Sequence, residues 1–468
     1  MKDAATIIEN HREKIVQTVC DLIRIKSVKS AEMPGKPFGE GVNQALEYML
    51  EESENIGFKT ENVDGYAGHV DYGDGEETLG ILVHLDVVPE GEDWIYPPFG
   101  GEIHEDKIYG RGAIDNKGPA VASLYALKAI KEMGIETKRK IRIIFGTDEE
   151  SGWKDLEYYF QHYPKPDLGF SPDASFPVIH GEKGIQIFNL LYTMQQDEQP
   201  IQLVRIKGGN AANMVADRCE VELSMAENIK QMLGNDLEEF IKKTGYDLEL
   251  EPAGENMVIK AKGISAHGSR PEKGKNAISH LLLFLAQCPG LNESLKKFAA
   301  FYEEKIGTEV NGQSIGCGFE DDLSGKLAFN VGKIEMNQDQ LILSINTRSP
   351  ITLKAECVFE GIRKELQETG IHLEIEENIE PLYVPVEDEL VKQLMEVYRT
   401  ETGDLESQPI TIGGGTYARA LPKAVAFGAL FPGQEELAHQ KNECIEIKDL
   451  MKMTLIYTKA IEALVSGK

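Results

Sequence analysis

Residues Gly80–Pro89 read GILVHLDVVP. The apolar run Ile81, Leu82 and Val83 stops at His84 and Asp86, then resumes with Val87 and Val88. Unbroken leucine and β-branched residues are the pattern of a strand buried on both faces, as inside a parallel sheet. Strand residues two apart point to the same side, so the His84 imidazole and the Asp86 carboxylate share a face at the strand's far end. Open α/β sheets bind their ligands outside the carboxyl ends of strands. The pair reads in two ways: a metal-ligating histidine with the acid that orients it, or a buried pair that satisfies itself.

The neighbouring segments weigh on that choice. Lys140–Gly146, KIRIIFG, is a second strand without alternation, and it runs into Thr147-Asp148-Glu149-Glu150. Consecutive acids at the end of a buried strand are costly unless a cation sits among them, although the first turn of a helix from Trp153 to Phe160 would also accept them. A third strand, Asp167 to Ser171, leads into SPDASFP and Asp173. Between the first two strands lies a long loop, EGEDWIYPPFGGEIHEDKIYGRGAIDNKGP, of the kind that carries function on a rigid scaffold. It brings Asp115 to the start of a helix running from Pro119 to about Met133, with Ala120, Ala122, Leu124, Ala126 and Leu127 as a packing surface. Alone, Asp115 reads as a helix cap. Three successive strand ends presenting His/Asp, Asp/Glu/Glu and Asp exceed what capping requires. His84, Asp115, Glu150 and Asp173 with a later histidine form a nitrogen and oxygen ligand set suited to Zn²⁺. Five such ligands suit two ions, roughly 3.5–4 Å apart, sharing a bridging carboxylate.

Composition bounds the remaining possibilities. At 468 residues the chain exceeds one ordinary core and should form two or three units. Lys plus Arg number 49 against 78 Asp plus Glu, a net charge of −29. Such a surface repels phosphates and anionic lipid, which argues against nucleic-acid and membrane partners. The N-terminal MKDAATIIENHREKIVQTVCDLIRI scatters charges through its apolar residues and does not read as a signal peptide. The longest strongly apolar stretch, Leu281 to Ala286, is far shorter than a membrane span. A cytoplasmic protein is expected. Its six cysteines, Cys20, Cys219, Cys288, Cys317, Cys357 and Cys444, show no CxxC spacing and read as buried reduced thiols. Helical periodicity predicts a first helix over Ala4 to Ile25 and a second from about Asn43 to Ile56.

The motifs HLDVVP at His84, WIYPPF at Trp94, GRGAIDNKGP at Gly110, DEESGW at Asp148, SPDASFP at Ser171, SAHGSRPEKGKNAI at Ser265 and GGGTYAR at Gly413 occur in this order along nearly the whole chain. Together they resemble the M20 family of metallopeptidases, in its dipeptidase V-like (PepV) branch. The resemblance implies that His84 and Asp173 bind one zinc, Glu150 and His439 the other, and Asp115 bridges them, with a cis peptide at Asp115-Asn116. It implies Asp86 as the acid that hydrogen-bonds the ligating histidine and Glu149 as the general base. Adjacent Glu149 and Glu150 need different tasks, since a base that takes a proton from the attacking water cannot also be fully engaged by a metal.

The resemblance implies an α/β fold of two domains. A discontinuous catalytic domain with a mixed central sheet, residues 1–181 and 382–468, carries an inserted α+β lid at 182–381, in two halves. The insertion shows alternating strand patterns at Ile185 to Leu191, Val221 to Ser224, Met257 to Ala261 and Leu341 to Ile345, consistent with a partly solvated sheet. From the lid the resemblance implies His267 at the oxyanion, with Asn213 and Arg348 on the substrate backbone and carboxylate. Gly413, Gly414, Gly415 and Thr416 would bring backbone donors to the same end. Strand-end arginines such as Arg348 also serve as surface salt bridges, and GGGT lacks the Lys-Ser/Thr of a phosphate loop. The lid's extra half is expected to complete the site within one chain and leave a functional monomer. The expected activity is a cytoplasmic dipeptidase with two Zn²⁺, replaceable by Mn²⁺ or Co²⁺, acting on small unblocked peptides. The alternatives are another amidohydrolase of the family, an N-acyl-amino-acid deacylase or a desuccinylase, and a noncatalytic metal- or peptide-binding protein on the same scaffold.

Overall fold

The computed structural model describes residues 3–466, which divide into two compact units. The first comprises the chain up to Gly181 with Val384–Ile410 and the chain from Gly415; the second comprises Glu182–Tyr383 with Thr411–Gly414.

In the first unit the opening stretch forms the strand Thr78–His84, with Leu79 through His84 fully buried. It pairs in parallel with Lys140–Gly146, His84 opposite Gly146, and with Leu168–Ser171, Ile81 opposite Phe170. Ala424–Ala426 continues the parallel sheet beside Leu168–Ser171. On the other side Ala67–Tyr72 and then Lys59–Val63 add antiparallel strands, so the sheet is mixed. A side chain at Gly169 would strike the Gly80 carbonyl of the paired strand, so glycine sets their close approach. The helix Lys117–Met133 lies against Thr78–His84 and against Ile447–Ser466. Its fully buried Ala120, Ala122 and Ala126 permit that packing, and it ends at Gly134 in the left-handed conformation, φ 67°.

The first expected helix is two, Ala4–Asn10 and Arg12–Arg24, interrupted at His11, whose Nε2 lies 2.8 Å from Glu132 Oε1. The apolar stretch VAFGALF divides at Gly428, φ 83°, where a Cβ would collide with the Phe176 ring. Ala424–Ala426 stays in the main sheet, while Ala429–Leu430 pairs with Ala174–Ser175 and anchors the segment that follows Asp173.

The second unit is built on an eight-stranded antiparallel sheet. Its order is Asp247–Ala253, Asn256–Lys262, Arg218–Met225, Ile201–Gly208, Ala328–Asn337, Gln340–Ser349, Gly184–Thr193 and Ile371–Ile379. Phe188, Leu190, Val221, Leu223, Leu343 and Ile345 enter one core with the apolar sides of helices Ala277–Gln287, Glu293–Lys305 and Glu356–Glu365. Asn276 caps the first of these through the amides of Ile278 and Ser279. The edge strand Ile371–Ile379 exposes Glu374, Glu376 and Glu377, charges that discourage edge pairing. Residues 411–414, expected with the carboxy-terminal part of the catalytic domain, pack instead in this unit. Main-chain and side-chain bonds explain the difference: Lys183 N donates to Ile412 O at 2.9 Å, and Arg348 Nη1 to Gly413 O at 3.1 Å. Among the described residues no helix is long and apolar enough to cross a membrane. All six cysteines are free, four buried and Cys357 and Cys444 half-buried.

Candidate metal centre

His84 ends its strand with the imidazole buried, and its Nδ1 lies 3.0 Å from the Asp86 carbonyl oxygen. A carbonyl only accepts, so Nδ1 carries the proton and donates. Nε2 lies 3.0 Å from Asp115 Oδ1 and 3.3 Å from Asp173 Oδ1. The other oxygen of Asp115, Oδ2, lies 3.1 Å from His439 Nε2, which is also 3.0 Å from Glu150 Oε2. One carboxylate thus faces two imidazoles, and each imidazole has a second carboxylate beside it. The ligand atoms of His84, Asp115 and Glu150 lie within 4.8 Å of one another, as do those of His84, Glu149 and Asp173.

Each group is placed by local structure. The peptide Asp115-Asn116 is cis, and Asn116 Nδ2 donates to Pro172 O at 2.7 Å and to Asp173 Oδ1 at 2.9 Å. The Asp86 carboxylate faces the His84 imidazole, as expected, and has a second set of partners as well. Its Oδ1 is 3.5 Å from His84 Nδ1, and the two oxygens accept the amides of Glu149, at 3.2 Å, and Glu150, at 3.1 Å. The main-chain carbonyl of Asp86 orients the histidine, and its carboxylate holds the turn that bears the two glutamates. The reason is geometric: that turn leaves the adjacent strand with its amides aimed at the end of Thr78–His84. Trp153 Nε1 fixes the same turn by donating to Glu149 O at 2.9 Å.

Four carboxylates, those of Asp115, Glu149, Glu150 and Asp173, crowd a largely buried space, and the proton equilibria register it. Burial, reinforced by the Asp173 charge, holds the Glu149 carboxyl well above the usual range. Burial and the Asp115 charge push Glu150 up to about 7. Hydrogen bonds to Asp115 and Glu150 push His439 up to about 11. Burial alone would lower His84, but the Asp173 charge and bonds to Asp115 and Asp173 raise it well above its ordinary value. Glu150 Oε1 is buried with no hydrogen-bond partner. An orphaned carboxylate oxygen among imidazoles and acids that resist ionisation together fits divalent cations, which these donors would hold.

The remaining expected residues lie elsewhere. In the second unit, Arg348 is buried, with Nε donating to Asn346 Oδ1 at 3.1 Å and Nη1 to Gly413 O, so Arg348 and the glycine loop are brought together. Gly414 continues that loop. Asn213 and His267 are neighbours in the same unit, since Gly268 N donates to Asn213 O at 2.7 Å. His267 Nδ1 lies 2.7 Å from Ser269 Oγ. Gly415 and Thr416 belong to the first unit, where Thr416 Oγ1 caps the turn Tyr417–Ala420 by accepting from Ala418 N.

Sequence reasoning missed Tyr417, Asp155, Arg111 and Glu443. The Tyr417 ring meets His84 edge to face at 6.2 Å, and its hydroxyl donates to Asp155. Asp155 also accepts from the amides of Thr147, at 2.7 Å, and Asp148, at 3.1 Å. A signal existed for Tyr417 and Arg111, which stand in the quoted motifs GGGTYAR and GRGAIDNKGP; Asp155 and Glu443 were two acids among 78.

Residues 80–463 match the model of peptidase family M20/M25/M40. The chain is 39% identical over 457 residues to a proposed dipeptidase, YtjP, of Bacillus subtilis (strain 168), covering 96% of this chain and 97% of that one. It is 39% identical over 460 residues to a proposed dipeptidase of Staphylococcus epidermidis, covering 97% of each. Among solved structures it resembles the dipeptidase Dug1p of Saccharomyces cerevisiae, at TM-score 0.58 and 13% identity over 99% of this chain and 98% of that one. Human carnosine dipeptidase 1 gives TM-score 0.57 at 14% identity over the same shares. The chain belongs to peptidase family M20/M25/M40. It is a peptide-bond hydrolase.

Proposed function

We propose that this peptidase is a dipeptidase that hydrolyses unblocked dipeptides with a pair of zinc ions. The observation that carries the reading is the Asp115 carboxylate, which turns one oxygen to His84 Nε2 and the other to His439 Nε2. His84 and Asp173 would hold one ion, Glu150 and His439 the other, and Asp115 both. The names of the relatives agree with the substrate class. When bound, a pair of divalent ions supplies Lewis acidity and lowers the pKa of water toward about 7.

The protein's own groups carry the proton chemistry. The Glu149 carboxylate, beside the ligand atoms of His84 and Asp173, takes a proton from the attacking water and returns it to the departing amine. Asp86 keeps Glu149 in place through its amide. The proposal assigns to His267 a hydrogen bond to the oxygen on which negative charge develops. It assigns to Arg348, Asn213 and the Gly413-Gly414-Gly415-Thr416 loop the substrate backbone and its carboxylate, which a planar guanidinium suits.

The test compares an unblocked dipeptide with the matching N-acetylated amino acid, before and after chelation. The dipeptide should be the better substrate, and Zn²⁺, Mn²⁺ or Co²⁺ should restore activity to chelated protein. Preference for the acetylated compound overturns the substrate assignment in favour of a deacylase. Full activity in verified metal-free protein overturns the metal assignment.

A further inference from the structure

Arg111 and Glu443 are charged yet buried, 2% and 0% exposed, and touch none of the ligand side chains in the contacts described above. Glu443 Oε2 accepts from Arg111 Nη1 at 2.7 Å and from Gly112 N at 3.1 Å. Its Oε1 accepts from Ile114 N at 3.0 Å and from Asp115 N at 3.1 Å, and its main-chain oxygen accepts from Gly110 N at 3.0 Å. Arg111 Nη1 also donates to Gln440 O at 3.1 Å, the residue after His439. Arg111 Nη2 reaches the carbonyls of Pro89 and Glu90 at 3.4 Å, and the guanidinium lies over the Trp94 ring at 5.3 Å. Asn442 Oδ1 completes the set by accepting from Ile95 N at 2.7 Å. Three loops, 89–95, 110–115 and 439–443, are therefore tied to one ion pair.

A buried ion pair contributes little net stability against an apolar pair of the same volume. What this one supplies is alignment. His84 ends a strand paired on both sides, and the segment just after Asp173 pairs through Ala174–Ser175 with Ala429–Leu430, so the sheet framework sets both. His439 has no such frame: it lies outside any strand, in the left-handed region at φ 62°. Its neighbour Gln440 is bound to Arg111, while Glu443 holds the amide of Asp115.

We infer that Arg111 and Glu443 are positioning residues that set His439 against the bridging Asp115 and thereby govern the affinity of one metal position and not the other. The inference rests on the two-ion reading above. The test titrates metal-free protein with Zn²⁺ alone by calorimetry, and with Co²⁺ by visible absorption, in the wild type, Glu443→Gln and Arg111→Lys. Wild type should take up two ions. Glu443→Gln should keep one at wild-type affinity and bind the second about 10–100-fold more weakly, with unchanged circular dichroism. Excess Zn²⁺ should then restore kcat with KM unaltered. Should Glu443→Gln fail to fold, Arg111→Lys makes the same comparison, since lysine keeps the charge beside Glu443 but has one nitrogen in place of the planar fork that reaches Gln440, Glu443, Pro89 and Glu90 together. Equal weakening of both ions, or none, overturns the inference. A wild type that takes up fewer than two ions overturns the two-ion reading and this inference with it, whereas two ions bound at wild-type affinities in both variants overturn this inference alone.

Discussion

The two halves of the candidate metal centre are held by different physics. His84 ends a strand buried on both faces, and Asp173 follows another, so the main-chain pairing of the parallel sheet sets where both strands end. Glu150 and His439 sit on loops, and their placement is delegated to buried charges: Asp86 beneath the Glu149-Glu150 turn, and Glu443 with Arg111 beneath the His439 loop. A sheet framework tolerates many substitutions because its register is shared among many bonds. A loop aligned by a few charge-assisted bonds fails when one is removed.

The largest effect is expected where the halves meet. Glu149→Gln should lower kcat about 10²–10⁴-fold, the usual contribution of a positioned base, while calorimetry still finds full metal uptake. Near-normal turnover would remove Glu149 from the proton chemistry and leave the comparison without its shared element. Next comes Asp86→Asn, which leaves the Asp86 carbonyl on His84 but removes one acceptor from the glutamate turn. The loop-borne ion should bind about 10–100-fold more weakly and the strand-borne ion unchanged. Weakening confined to the strand-borne ion would mean that the carboxylate acts through the imidazole instead.

The smallest effect is expected in the sheet itself. Arg142 Nε and Nη2 each reach Asp71 at 2.8 Å across paired strands, and Lys140 adds a contact at 2.6 Å. Burial raises the Asp71 carboxyl, but bonds from Arg142, His69 and Lys140 outweigh it and hold the group far below the usual range. A carboxyl depressed on folding adds stability above its unfolded value of about 4 and loses it as pH falls toward the folded value. Asp71→Asn should cost about 1–3 kcal/mol at pH 7 in denaturant unfolding, and that difference should shrink progressively below pH 4. Metal stoichiometry should stay at the wild-type value, and a change in it would show that the sheet does not index its half independently.

The α/β class and the strands that carry the site were legible because their signal is local. Ile81-Leu82-Val83 and Ile143-Ile144-Phe145 are short, apolar and without alternation, the pattern of strands in a doubly covered sheet. The acids at the ends of those runs stand out for the same reason. The break of the first helix at His11 was not legible, because the apolar periodicity runs through it unbroken and the contact His11 makes, to Glu132, is remote in sequence. Nor was the division of VAFGALF, since the Phe176 ring packed against Gly428 is remote in sequence. The passage of residues 411–414 into the second unit depends on Arg348 and Lys183, which no local pattern connects to that loop.

By itself the sequence determined which strands are buried, which polar groups stand at their ends, and hence the donor chemistry of the site, since each depends on residues a few positions apart. Only the tertiary structure decided that Asp115 faces two imidazoles, that the Asp86 carboxylate serves the glutamate turn, and that Glu443 holds the amide of Asp115. Those contacts join residues tens to hundreds of positions apart, and which of 78 acids meets which partner is settled by chain topology, about which a carboxylate's local sequence carries no information.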